Sequence, residues 1–567
     1  MSSSPCSQDD IILQGHEKRW VLRHVSEDRA EKLSAFLKCS PLTARVLLSR
    51  GIDGDSAAHF LYGHVERFVA DQEDLDHARV RIERAVADHE KIFIHGDYDV
   101  DGITSAVILR CALEILGAQT EVFLPHRIRD GYGVSERGVM RALESGAKLF
   151  LTADCGSSSD DVFDRLKNAG CDAIVTDHHV QEAPLRHAVA VLNPVKPGSR
   201  WLDRDLAAAG VAYLLALYLL ETAGERATPL IHAMAAIGTV ADVAPLRGEN
   251  RQIVRRGLQA LRECDNPGLL GLIQKARIDP NHVRASNIAY QIGPRLNAAG
   301  RLDDATKAFE LFFEKDPGRL FSSLDEIEQL NRRRQEIEEG ILTAASDLVD
   351  PASPAIVLDG EGWDRGVIGI VASRLVERFH RPVLMMSRQG GMAFGSARSV
   401  PGVNIVECLR SCREILATFG GHELAAGFTL PEDQISLFRN RLEITISELN
   451  MAFIPELHVD ATVDPSQSLF EAIQDLAGLE PFGRGNPEPL FLFRSVRLLH
   501  APRILGRKGV RFQVRAGERN FTGVAWRKPD WQIPVGLPID IVARLQIHEH
   551  QGLKEVQFQV EDFRNGV

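Results

Sequence analysis

The chain has 567 residues, 44% of them hydrophobic and 25% charged. That composition excludes a disordered or fibrous polymer and leaves room for several domains, each with its own core. A formal net charge of −12 excludes a uniformly basic nucleic-acid coat but not a local basic groove, because the field follows the distribution of charge. The first ten residues, MSSSPCSQDD, hold neither a basic nor an apolar segment, so no signal peptide is expected.

Residues 1–75 read as polar and helical, without a chemical motif. Between 76 and 302, short apolar runs that end in polar residues alternate with helical patterns. The runs are KIFIHGD, AKLFLTADCG, CDAIVTDHH and HAVAVLNP. Such alternation predicts a parallel sheet with crossover helices, and a ligand site beyond the carboxyl ends of its strands. The run at 206–220, LAAAGVAYLLALYLL, is too short to span a bilayer and predicts a buried helix. Residues 303–350 predict a long amphipathic connector helix. A strand–helix–strand pattern restarts at 351 and predicts a second α/β domain to 457. From 458 to 567, short β-like runs between turn residues predict a small barrel, with an OB-fold as the leading candidate. The eight cysteines form no CxxC pair, and Cys408 and Cys412 read as packing residues. A reduced, cytoplasmic protein is expected. No oligomerisation heptad is evident, so a monomer is expected too.

The chemistry concentrates in IFIHGDYDVDGITSAVIL, residues 92–109. An apolar strand runs into Asp97, Asp99 and Asp101, followed by Gly102. If the chain stayed extended, all three carboxylates would project to one side and would call for a cation among them. A calcium loop requires a bidentate Glu at its twelfth position. Counted from Asp97, that position is Ile108, which excludes it. An Asp-Gly turn accounts for Asp101 and Gly102 but not for Asp97 and Asp99. A divalent-metal site at a strand end needs further ligands from neighbouring strands. Asp154 in LTADCG, the triplet Asp177, His178 and His179, and Asp242 in AAIGTVADVAPL supply candidates. Carboxylates with one or two imidazoles suit Mn²⁺ or Mg²⁺ and disfavour a structural zinc. Cys155 and the serines of TADCGSSSD lack an evident base partner, which argues against a covalent mechanism.

Taken together, HGDYDVDG, TADCG, TDHH and GTVADVAPL resemble the DHH phosphoesterase superfamily. With QIGPRLNAAGRLDDA, WDRGVIGIVASRL and FGGHELAAGFTL, the order and wording are most similar to the RecJ exonucleases over about residues 75–490. The resemblance implies an α/β protein in which a parallel-sheet DHH domain is joined by a long helix to a second α/β domain, DHHA1, followed by a β-barrel OB-fold. It implies a centre of two Mn²⁺ or Mg²⁺ ions held by Asp99, Asp101, Asp154, His178 and Asp242, with Asp154 bridging. Either His95 or Asp97 would complete it, and the choice stays open. His179 would face the scissile phosphate or support the site.

Two such cations bind a phosphate between them, promote ionisation of a bound water and offset charge on the attacking and leaving oxygens. For the 5′ phosphate, the resemblance points to Arg127, Arg301, Ser396 and Arg398. Arg295 and Asn297 would line the substrate path or hold the domains together, and Gly421 and His422 would approach the phosphate backbone. The implied activity is 5′-to-3′ hydrolysis of single-stranded DNA in recombination and repair, with a single-stranded-DNA-binding protein and a RecQ-type helicase as partners. Aromatic residues are only 6% of the chain, so phosphate contacts should outweigh base stacking and binding should depend strongly on salt. The competing expectations are another DHH phosphodiesterase, acting on short oligonucleotides or cyclic dinucleotides, and a catalytically inactive DNA-binding scaffold.

Overall fold

The structure is a computed structural model that describes residues 10–63, 70–131, 133–451, 453–465, 469–550 and 553–566. Its catalytic-type layer is a five-stranded, all-parallel sheet. In spatial order the strands are Gln119–Phe123, Lys91–Gly96, Leu149–Ala153, Asp172–Thr176 and Ala190–Leu192. The middle strands read as continuous apolar runs because helices cover both faces; every residue of Leu149–Ala153 is buried. On one face lie the helices Val100–Ile115, Ala208–Thr222 and Pro229–Ala241, which share the largest core with the sheet. The apolar run at 206–220 is the second of these, buried along nearly its whole length. Among the described residues no helix is long and apolar enough to cross a membrane.

A 30-residue helix, Pro317–Ser346, leads to the second sheet. It is not merely a solvated amphipathic rod. Asn331, Arg334 and Glu338 are buried. Arg334 donates to Glu338 at 2.8 Å and to Asn331 at 3.2 Å. Arg374, from helix Ile368–Phe379, pairs with Glu338. This charged joint fixes the second domain against the connector. Its sheet runs Thr418–His422, Ala425–Pro431, Met392–Arg398, Val383–Gln389, Ile356–Glu361, with only the last pair parallel. Cys408 and Cys412 are buried in its core.

The C-terminal sheet closes on itself through a pairing of Arg497 and Leu498 with Arg515 and Val514, which makes it a barrel. Phe493, Phe521 and Phe558 stack inside it.

The N-terminal stretch departs from the expectation of an all-helical segment. It opens with an antiparallel pair, Ile11–Gln14 and Arg19–Leu22, and the second strand adds parallel to Glu456–Val459. Asp562 accepts hydrogen bonds from Trp20 Nε1 and from the backbone N–H groups of Glu17 and Lys18. The helices that follow share an apolar core with the barrel. The two ends of the chain are therefore one unit. Arg251 locks that unit to the first domain. Its buried guanidinium donates to the carbonyls of Phe60, Leu479, Gly478 and Glu480.

Candidate metal centre

The acidic stretch turns rather than staying extended. Strand Lys91–Gly96 ends, and Asp99 caps helix Val100–Ile115 by accepting from the N–H groups of Asp101 at 2.9 Å and Gly102 at 3.1 Å. Such N-caps satisfy donors that have no partner within the helix. Asp101 consequently sits in the first helical turn, and the carboxylates converge through a turn instead of strand alternation. Gly102 is required there, because a Cβ would lie 2.6 Å from the Asp97 backbone N and O. The Asp101 carboxylate accepts from Ala208 N and Ala209 N, each at 2.8 Å, at the start of helix Ala208–Thr222.

Asp154 follows strand Leu149–Ala153 and holds a left-handed φ of 68°, a costly conformation for a residue other than glycine. Asp177, His178 and His179 follow strand Asp172–Thr176. Asp242, expected at a strand end, does not lie at one. It is the C-cap of helix Pro229–Ala241, and it reaches the site because that helix packs alongside Val100–Ile115.

His178 stands at the centre. Its Nε2 is 3.3 Å from Asp154 Oδ1 and 3.8 Å from Asp101 Oδ2; its Nδ1 is 3.9 Å from Asp242 Oδ2. Three overlapping sets bring their donor atoms within 4.8 Å: Asp154, His178 and His179; Asp101, His178 and Asp242; Asp97, Asp99 and Asp154. Asp97 Oδ1 and Asp154 Oδ1 are buried and accept no hydrogen bond among the described residues. Burial and the neighbouring carboxylates push Asp97, Asp154 and Asp242 well above the ordinary carboxylate range, and Asp101 up to about 7. Burial, then the charge of His179, lowers His178 to about 4, leaving the neutral imidazole that can ligate a metal. Unsatisfied buried oxygens, crowded negative charge and an oxygen–imidazole donor set fit divalent cations such as Mn²⁺ or Mg²⁺.

Not every expected residue reaches this cluster. His95 was an expected ligand, and the structure places it elsewhere. Its Nε2 accepts the Ser135 N–H at 3.2 Å, and its Nδ1 lies 3.7 Å from Cys155 Sγ. Full burial among Phe123 and Phe150 lowers it to about 4. Both ring nitrogens are engaged in packing the strand end, so of the two open choices Asp97 is the one in the cluster. Of the two expectations for Arg295 and Asn297, the substrate path or a structural joint, the contacts present fit the second. Arg295 pairs with Glu328 of the connector at 2.8 Å and donates to the Gln291 carbonyl. Asn297 Oδ1 accepts the Val100 N–H at 3.3 Å.

Arg127 lies over the Tyr98 ring at 5.2 Å. Arg301 donates to the Gly366 carbonyl at 2.7 Å and Arg398 to Ser396 Oγ at 3.0 Å. Gly421 and His422 lie on the exposed edge strand Thr418–His422. Gly421 has a φ of 145°, and a Cβ there would meet the Ala425 carbonyl at 2.4 Å, so strand pairing alone requires the glycine.

The sequence offers Asp177 only as part of the triplet, without a role, and does not point to Arg484 at all. Asp177 accepts from Ser157 N at 2.9 Å, His178 N at 2.7 Å and His179 Nδ1 at 2.7 Å. Burial opposes its ionisation, but these bonds win and hold it below the usual carboxylate range. Its signal was its place directly before two histidines. Arg484 donates to the Val243 carbonyl at 3.3 Å, next to Asp242, from a loop 241 residues away; no local signal could have found it.

Three family models match in order along the chain: the DHH family, N-terminal domain, over residues 91–239, the DHHA1 domain over 352–448 and the RecJ OB domain over 459–562. A single-stranded-DNA-specific exonuclease RecJ of Bacillus subtilis is 36% identical over 557 residues, 96% of this chain and 70% of that protein. The chain belongs to the RecJ family. The crystal structure of Thermus thermophilus RecJ in complex with Mn²⁺ superposes on this RecJ-family chain with a TM-score of 0.85 at 31% identity, covering 97% of this chain and 80% of that one. That enzyme's complex with Mg²⁺ gives 0.78 at 30% identity, covering 97% and 78%.

Proposed function

We propose that this chain is a divalent-metal-dependent exonuclease that hydrolyses single-stranded DNA from its 5′ end. The observation that carries the proposal is the convergence of five aspartates and two histidines from four chain segments on one buried cluster, with two carboxylate oxygens left without donors. Asp97, Asp99, Asp101, Asp154, His178 and Asp242 would hold two Mn²⁺ or Mg²⁺ ions. Such ions supply a water made acidic enough to attack a phosphodiester and positive charge for the leaving oxygen. Asp177 fixes the His179 ring, and Asn193 holds its backbone by donating to the His179 carbonyl at 2.9 Å. We assign His179 to the scissile phosphate. The intact cluster disfavours an inactive scaffold.

The strand end would be read across the joint between domains. Among the described residues none of Arg127, Arg301 and Arg398 makes an ion pair with a carboxylate. Guanidinium groups without acids suit a terminal phosphate. The barrel supports a long substrate over a dinucleotide. Arg497 sits directly opposite Arg515, and Arg503 opposite Arg511. All four are exposed and have no ion pair among the described residues. Like charges placed opposite one another destabilise a sheet, and a phosphate backbone relieves them. A cytoplasmic monomer working with a single-stranded-DNA-binding protein and a RecQ-type helicase completes the proposal, on the family resemblance alone.

The test uses DNA labelled at either end with Mn²⁺ or Mg²⁺. Immediate mononucleotide release from the 5′ label, abolished by EDTA and by Asp154→Ala, is expected. Cleavage confined to very short oligonucleotides or cyclic dinucleotides would overturn it, as would binding without cleavage.

A further inference from the structure

We infer that Arg365 is a fourth arginine of the terminal-phosphate site, seated on Phe394, and that it sets the preference for phosphorylated over hydroxyl 5′ ends. The inference rests on the exonuclease reading above.

Strand Met392–Arg398 alternates faces. Ala393 and Ala397 are buried on one side, while Phe394, Ser396 and Arg398 share the other and are half-buried. The Arg365 guanidinium carbon lies 3.5 Å from the centroid of the Phe394 ring. Arg365 is thus two residues along that face from Ser396 and four from Arg398. The loop that carries it and the helix Ile368–Phe379 that follows approach Arg301, Ser396 and Arg398. The carbonyl of Gly366 accepts Arg301 Nη1 at 2.7 Å. A Cβ on Gly366 would lie 2.9 Å from the Arg301 carbonyl oxygen, and one on Gly369 would lie 2.8 Å from Ser396 Oγ and 3.1 Å from Arg398 Nη2. Asp364 pins the loop by accepting the Gly366 N–H at 2.7 Å.

The chemistry of that seat is specific. A guanidinium stacked on an aromatic ring uses its flat face and keeps its N–H edge for an acceptor. Among the described residues no carboxylate pairs with Arg365. Burial, then the charge of Arg127, lowers the pKa of Arg365 and of Arg398, and the same two causes act on Arg301. The charge of Arg127 acts on the other three, none of the four makes an ion pair with a carboxylate among the described residues, and Asp99 offsets part of that charge at Arg301. A terminal phosphate carries one more negative charge than an internal phosphodiester near neutral pH, so it gains most from a fourth cation. Arg365 is exposed, but its seat on Phe394 and the loop pinned by Asp364 fix where its guanidinium stands.

The experiment measures kcat/KM on one single-stranded sequence with a 5′ phosphate and with a 5′ hydroxyl. Wild type is expected to favour the phosphate. Arg365→Ala is expected to reduce that preference roughly tenfold, the scale of one charge-assisted hydrogen bond, chiefly through KM. Arg365→Lys, which keeps the charge but not the planar fork, should lose less. Phe394→Leu should lower the preference without removing charge. If wild type prefers the phosphate and Arg365→Ala keeps the same ratio, the assignment of Arg365 is overturned while the exonuclease reading stands. If wild type digests from the 5′ end with no preference, the terminal-phosphate site and Arg365 fall together. If no 5′ digestion occurs at all, the functional reading itself fails.

Discussion

Asp177 shows how one side chain can govern a site without being the obvious ligand. Its two oxygens take donors from Ser157, His178 and His179, so it fixes the His178 backbone and the His179 ring at once. Outer partners of this kind are costly to remove. Asp177→Asn keeps the shape but not the charge, and it exchanges one acceptor for a donor facing N–H groups. The variant is expected to fold and to lose about 10–100-fold in rate or in Mn²⁺ affinity. A metal titration of nuclease rate checks this, and an unchanged titration curve and rate would remove Asp177 from the machinery. Residue identity alone was legible for the acids and imidazoles, because their chemistry restricts them to few roles. It left His95 and Arg295 undecided. Histidine and arginine serve packing and ion pairing as readily as catalysis, and only the positions of Ser135 and Glu328 decide between these uses.

Elements carry the next layer of argument. The helix Gly293–Leu302, from the GPRLNAAG stretch, lies against the acidic turn. A Cβ on Gly300 would stand 2.1 Å from the Tyr98 carbonyl oxygen, between Asp97 and Asp99. Gly300→Ala must therefore push the turn or the helix away. Overpacking typically costs about 1–3 kcal/mol, and activity should fall further than stability because both flanking carboxylates shift. Chemical denaturation beside initial-rate measurement tests the claim; equal losses in both would mean that the contact is only structural. Four of the five strands of the parallel sheet were readable from apolar runs ended by polar residues; the edge strand Gln119–Phe123, QTEVF, is too polar to show as such a run. Asp242 was not placed correctly, because an acid after an apolar run looks the same whether the run is a buried strand or a buried helix. Its helix is apolar all round, so periodicity could not distinguish the two.

At the scale of the whole molecule, charge is distributed rather than uniform. A chain of net charge −12 keeps its acids in the metal cluster and elsewhere, while the barrel presents Arg497, Arg503, Arg511 and Arg515 together. Single-strand binding releases counterions in proportion to the phosphates contacted, with a slope of about 0.7 per contact. Replacing the four by alanine is expected to flatten the dependence of log Kobs on log salt concentration by up to about 2.8, measured by fluorescence anisotropy on long single-stranded DNA with EDTA present. An unaltered slope would place the strand on another surface.

The sequence by itself determined which chemistry this protein can perform and that its middle is a parallel α/β sheet. Carboxylates and imidazoles at the ends of apolar runs are local features, and the periodicity that marks strand and helix is local as well. Only the tertiary structure decided that the N-terminal strand Arg19–Leu22 pairs with Glu456–Val459, that Arg251 joins the barrel unit to the first domain, that Arg484 stands beside Asp242 and that Arg365 rests on Phe394. Each of those contacts joins residues that are tens to hundreds of positions apart. Their free energy comes from burial and hydrogen bonds formed only once the domains dock, so no pattern within either segment encodes the partner.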